Sequence, residues 1–204
     1  MSKAIGEGRE LLRLRGLNHF TLPVRDRYRS ARFYVVVLNG EITHESDPDR
    51  VKKGLARSLQ VGIQVCPGFE IDLFEQDYGQ PRPEQAHPHH AFDVRAEDLM
   101  SWAEQLSRWR VPHAGPITRA GTKGAELYFD DLDGNHLEIH CSDYPARQEL
   151  PLGPFDHRLL AFTEPWPPKD LAEEADRLLQ ESLERMKKRR NKGGQSSPDI
   201  DIWR

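Results

Sequence analysis

Two histidines and two carboxylates stand at matching places in this sequence. His89 opens the stretch His89-His90-Ala91-Phe92-Asp93-Val94, and Glu138 sits within Leu137-Glu138-Ile139-His140. Earlier, His19 lies in Leu17-Asn18-His19-Phe20-Thr21-Leu22-Pro23-Val24, and Asp72 in Phe69-Glu70-Ile71-Asp72-Leu73-Phe74-Glu75. Both histidines open the pattern His-x-x-apolar-x-Val, and both carboxylates are flanked by aliphatic residues. Imidazole nitrogen and carboxylate oxygen are the donors that first-row divalent metal ions take. A glutamate between aliphatics on a strand has little reason to be buried unless it binds something charged.

The elements that must carry these residues follow from their alternation. Side chains two apart on a strand share a face, so His89, Ala91 and Asp93 point one way on their strand, and Glu138 and His140 share a face opposite Leu137 and Ile139 on theirs. The repeat of histidine strand and carboxylate strand divides the chain into two copies of one unit. In the first copy, a strand near 17–24 precedes a helix capped by Asp26 that ends at Asn39-Gly40. Strands follow near 41–46, 57–65 and 69–75; residues 47–56 read as a loop, and Pro67-Gly68 as a turn. In the second copy, a strand at 89–94 precedes a helix from about Ala96 to Arg110, with Leu99, Trp102, Ala103 and Leu106 on its buried face. Strands near 113–117 and 125–130, and then the strand bearing Glu138, complete it. The predicted fold class is α+β: two βαβββ modules paired into an open barrel-like cleft, with a C-terminal helical extension. The expected organisation is an N-terminal arm at 1–15, modules at 16–75 and 89–145, a proline-rich linker at 76–88, and an extension at 146–204. Within the extension, a wrap at 150–168 precedes a helix over 169–190, acidic early and basic late as the helix dipole favours. Its stripe of Leu171, Ala175, Leu178, Leu179, Leu183 and Met186 is expected to dock on the domain or on a second copy rather than on lipid.

Composition narrows the function classes. The net charge of −4 over 204 residues leaves no basic footprint for nucleic acid. No apolar run reaches membrane-spanning length, and the charged start lacks a signal-peptide core, so a cytoplasmic location is expected. Two cysteines, Cys66 and Cys141, make no disulfide framework and read as buried thiols.

From about 16 to 145 the chain resembles the vicinal oxygen chelate superfamily, which includes glyoxalase I, extradiol dioxygenases, fosfomycin-resistance transferases and bleomycin-binding proteins. The resemblance is carried by Gly16 to Val24 with Ser30-Ala31-Arg32-Phe33-Tyr34, by His89-His90-Ala91-Phe92, and by Tyr128 to Glu138. Leu132 stands where the family usually has proline. The resemblance implies a metal held by His19, Asp72, His89 and Glu138, with Glu138 and Tyr128 in catalysis. Thr21, Arg119 and Arg147 would contact substrate. The ion would be Fe, Ni, Zn, Co or Mn, and a small substrate with neighbouring oxygens would chelate it. His87, His90, His113, His136 and His140 read as bystanders, His140 being the exception because it shares the face of Glu138.

Several chemistries are implied. A glyoxalase-like isomerase or lyase is favoured by the four-ligand count, since a displaced carboxylate can move a proton. An Fe(II) extradiol-type dioxygenase needs only His19, His89 and Glu138, but the His that follows an Arg in such enzymes is replaced by Ala120 after Arg119. A fosfomycin-type thiol transferase is echoed at Thr21, Tyr128 and Arg147. A drug-binding protein of the bleomycin-resistance type needs no ligands at all. A homodimer is an expected partner, with the cleft inside one chain or shared between two.

Overall fold

The structure, a computed structural model, describes residues 17–54, 58–76, 89–118, 124–145, 150–151 and 156–192. The arm at 1–15 and most of the expected linker lie outside these residues.

The first module begins with β1 (His19–Val24), in which Leu22 and Val24 turn inward. Helix α1 (Arg27–Val37) starts where Asp26 accepts from the Tyr28 and Arg29 amides, a cap worth about 1 kcal/mol. It ends at Asn39, whose φ of 54° is the left-handed conformation asparagine tolerates. Strand β2 (Glu41–Glu45) follows. Residues 48–52, read from sequence as loop, form a short helix, α2 (Pro48–Lys52). Its signals are local: Asp47 caps it, Pro48 fits the first turn, and Arg50 and Lys52 close it. Strands β3 (Gln60–Cys66) and β4 (Phe69–Glu75) flank the Pro67-Gly68 turn. The second module repeats the order with β5 (His90–Asp93), α3 (Leu99–Arg108), β6 (His113–Ile117), β7 (Ala125–Asp130) and β8 (His136–Cys141).

Each module has its own four-stranded mixed sheet, ordered β1-β4-β3-β2 and β5-β8-β7-β6. In both, the first strand pairs parallel to the last and the remaining pairings are antiparallel. Each sheet has one face under its helix and one open face. The helix-side residues of both modules, among them Val24, Phe33, Ile71, Leu106, Leu127 and Ile139, join in one core. Because that core lies between the modules, the two open faces look away from it. Phe20 of β1 stacks on His90 of β5 at 4.1 Å between ring centroids, closing the seam between the sheets.

The turn at 131–135 clamps the modules together. Asp131 Oδ2 accepts from the Tyr34 hydroxyl of α1 at 2.7 Å and from Asn135 Nδ2 at 2.7 Å. Asp133 accepts from Ser30 Oγ at 2.8 Å, and Asn135 Nδ2 also donates to the Pro23 carbonyl at 3.2 Å. Burial raises the Asp131 carboxyl above the usual aspartate range and drives the Tyr34 phenol up as well.

The extension docks on its own chain. Trp166 inserts beside Phe33 and donates from Nε1 to the Trp109 carbonyl at 2.8 Å. Helix α4 (Ala172–Lys192) buries Ala175, Leu179, Leu183 and Met186, as the stripe predicts. It covers β2, the exposed edge of the first sheet. Ser182 Oγ accepts from the Ile42 amide at 2.9 Å, and Arg189 donates to the Ile42 carbonyl at 2.9 Å. No described helix is long and apolar enough to cross a membrane. Cys141 is buried as expected, but Cys66 is exposed because β3 ends there at the turn.

Candidate metal centre

Glu138 is the anchor of the second module's open face. It sits in the middle of β8, only 3% exposed, in register with Ala91 of β5 and Tyr128 of β7. A carboxylate this enclosed must be compensated. His89 Nε2 lies 2.7 Å from Oε2, and His140 Nδ1 lies 2.9 Å from Oε1. His140, two residues along the same strand and the exception named among the other histidines, is in contact with the carboxylate. Glu126 of β7, in register with His140, brings a second carboxylate. Single donor atoms of Glu126, Glu138 and His140 lie within 4.8 Å of one another. Two imidazoles and a buried carboxylate on one face are a donor set that fits a divalent ion.

Tyr128 lies beside Glu138 but is 2% exposed. Leu160 packs over it with Ala114 and Ile117, and its hydroxyl donates to Glu126 Oε2 at 2.8 Å. Its ring stacks on His136, which in turn pairs with Asp130 at 2.7 Å. His90, turned to the seam, is kept below the usual imidazole range by burial and by neighbouring His89.

His19 and Asp72 occupy the open face of the first module. Asp72 is the hub: Oδ2 lies 3.9 Å from His19 Nε2, and Oδ1 lies 3.5 Å from His44 Nε2. Burial raises the Asp72 carboxyl above its usual range, while the two histidines pull it back down. Thr21, exposed, is in register with Asp72. The structure therefore brings the four expected ligands together as two pairs, His19 with Asp72 and His89 with Glu138, each on its own sheet. Arg119 and Arg147 lie outside the described residues. Sequence reasoning passed over His44, Glu70 and Glu126. The two glutamates were within reach, each being two residues from a chosen position. His44 was not, because its meeting with Asp72 depends on strand pairing.

Comparison with known proteins follows this geometry. The chain is 33% identical over 137 residues to the glutathione transferase FosA of Serratia marcescens, covering 66% of this chain and 86% of that one. It is 23% identical over 133 residues to the fosfomycin resistance protein FosX of Listeria innocua, covering 65% and 93%. The solved FosX of Listeria monocytogenes superposes with a TM-score of 0.52 at 26% identity, over 63% of this chain and 94% of that one. A variant of that protein has also been solved with Mn(II) and 1S,2S-dihydroxypropylphosphonic acid. Residues 16–139 match the model of the glyoxalase, bleomycin resistance protein and dioxygenase superfamily, and to that superfamily the chain belongs.

Proposed function

We propose that this protein is a divalent-metal-dependent enzyme that opens a small, oxyanion-bearing electrophile of the fosfomycin type with a thiol or water. The observation that carries the reading is the Glu138 carboxylate, 3% exposed and held between His89 and His140 on an otherwise open face. The relatives named FosA and FosX support the substrate class, and they favour the transferase alternative over the isomerase expected from ligand count. The Mn(II) complex of the Listeria protein supports the cofactor class, and its diol is what water addition to the epoxide of fosfomycin yields.

His89 and Glu138 would hold the ion, with His140 orienting the carboxylate through Nδ1. Bound there, the ion supplies Lewis acidity toward an epoxide or phosphonate oxygen. Tyr128, sealed beneath Leu160, keeps Glu126 in place and closes the floor of the site to water. His19 of the partner subunit would complete the ligand set, because the open faces of one chain look outward from a shared core. A symmetric pair would bring the first open face of one copy to the second open face of the other.

The test is phosphorus NMR of fosfomycin incubated with Mn(II)-loaded protein, alone and with glutathione or cysteine. A new phosphonate resonance, at least 100-fold slower to form with Glu138→Ala, is expected. Unchanged fosfomycin under every nucleophile, together with turnover of a hemithioacetal, would replace this reading with the isomerase.

A further inference from the structure

The open face that carries Glu138 is roofed in part by the C-terminal extension. Residues His157–Leu160 form a short 3-10 turn, and Leu160, fully buried, packs on Ala114 and Ile117 of β6 and on Tyr128 of β7. Ala114, Tyr128 and Glu138 stand in one register row across β6, β7 and β8. Leu160 therefore rests on the face of the metal centre, one strand away from it. The roof stops there: Ala91 and Asp93 of β5, on the other side of Glu138, stay exposed.

The turn is pinned before, within and after. The Pro151 carbonyl accepts from the Thr118 amide at 2.9 Å, which fastens the chain to the end of β6. Asp156 accepts from the Arg158 amide at 2.9 Å and from its guanidinium at 2.6 Å. Beyond the turn, the ring of Phe162 meets Phe33 edge-on, and Trp166 is tied to the Trp109 carbonyl. A segment fixed at these places presents Leu160 in one position.

Leu160 bears on a pair of stacked rings beside a candidate ligand. The Tyr128 and His136 rings lie parallel within 4°, with centroids 5.5 Å apart. The His89 imidazole stands edge-on to both, 5.9 Å from each centroid. Hydrogen bonds hold the polar ends of the pair, His136 to Asp130 at 2.7 Å and Tyr128 to Glu126 at 2.8 Å. Leu160 packs against Tyr128 and completes the support.

This support comes from outside what the chain shares with its relatives. The superfamily match ends at residue 139, and the FosX proteins are matched over 93–94% of their own length. Too little of them remains to hold a counterpart of residues 150–192.

We infer that Leu160 is a positioning residue of the metal centre. The extension holds the Tyr128–His136 pair in place, and the pair sets the His89 imidazole at the angle that brings Nε2 to Glu138. The inference rests on the reading of His89 and Glu138 as metal ligands. Groups that orient a ligand histidine act on metal affinity, typically by ~10–100-fold when removed.

Two measurements on the full-length protein test it. Nitration by tetranitromethane, read by peptide mass spectrometry, reports the roof without any metal. Tyr28, 38% exposed, is the internal positive control, and Tyr128, 2% exposed, is expected to stay unmodified until Leu160→Ala uncovers it. Mn(II) affinity, from the electron paramagnetic resonance of free Mn(II), reports the positioning. Leu160→Ala should weaken it at least tenfold, and Leu160→Met should restore it. Leu183→Ala, an equal truncation in α4 far from the centre, should leave it unchanged; this separates positioning from loss of stability. Circular dichroism checks folding, and Leu160→Val carries the same test if Leu160→Ala is unfolded. Tyr128 nitrated in the wild type, Mn(II) affinity untouched by Leu160→Ala, or equal loss in Leu183→Ala overturns the inference. Wild-type protein that binds no Mn(II) fails the reading of Glu138 and takes the positioning role with it. Bound Mn(II) that ignores Leu160 sinks the positioning role alone.

Discussion

Asp72 is the residue at which stability and ligand binding pull in opposite directions. Its carboxyl is raised by burial, so in the metal-free protein its ionised form opposes folding. The sign follows: a folded value above the unfolded one removes stability at pH above the folded value and restores it as pH falls. Asp72→Asn should therefore stabilise the metal-free protein at neutral pH by ~1 kcal/mol, or roughly 2–4 °C. A thermal melt with chelator present checks this; a lower melting temperature would mean that Asp72 is satisfied without an ion. The sequence disclosed Asp72, His19, His89 and Glu138 because each stands at a repeated place in an alternating strand. It concealed His44 because nothing local to Thr43-His44-Glu45 says which residue lies opposite across β3. It left open whether the expected ligands meet within one chain or between two; within one chain His19 lies with Asp72 and His89 with Glu138.

At the scale of elements, α4 acts as a cover for a sheet edge. An edge strand presents unpaired amides and carbonyls that invite another chain. Here Ser182, fully buried, accepts from the Ile42 amide, and Arg189 donates to its carbonyl. Ser182→Ala leaves that amide without an acceptor and should cost roughly 1–3 kcal/mol, measured by urea unfolding. Loss under 0.3 kcal/mol would mean that water reaches the edge and the helix is not its cover. Arg189, with Arg185, also holds the Glu41 carboxyl below its usual range, chiefly through the hydrogen bond from Arg189. A depressed folded value contributes stability above the unfolded pKa and loses it as pH falls through the folded value. The docking of α4 should accordingly loosen below the ordinary glutamate range, seen as faster amide exchange at Ile42. The helix and its stripe were legible as a 3.6-residue repeat. The short α2 was hidden because charged residues with a proline read equally as loop, and its cap at Asp47 is its main distinguishing signal.

The whole molecule is two open faces set on a common core and locked by the 131–135 turn. Within one chain the Asp131–Tyr34 contact between the modules is buried. A second copy can supply the missing face with no rearrangement, and two-fold symmetry then makes two equivalent centres. Each centre would combine His19 of one copy with His89 and Glu138 of the other. This arrangement predicts rescue between two dead variants. His19→Ala and Glu138→Ala should each be inactive alone. In a mixed pair, one centre carries both lesions and the other carries neither. Random association makes half of the dimers mixed, each with one intact centre, so an equal mixture refolded together should regain about a quarter of wild-type activity. A centre confined to one chain gives no rescue at any ratio. Activity measured against mixing ratio therefore separates the shared centre from the internal one, and a flat line at zero would rule out sharing.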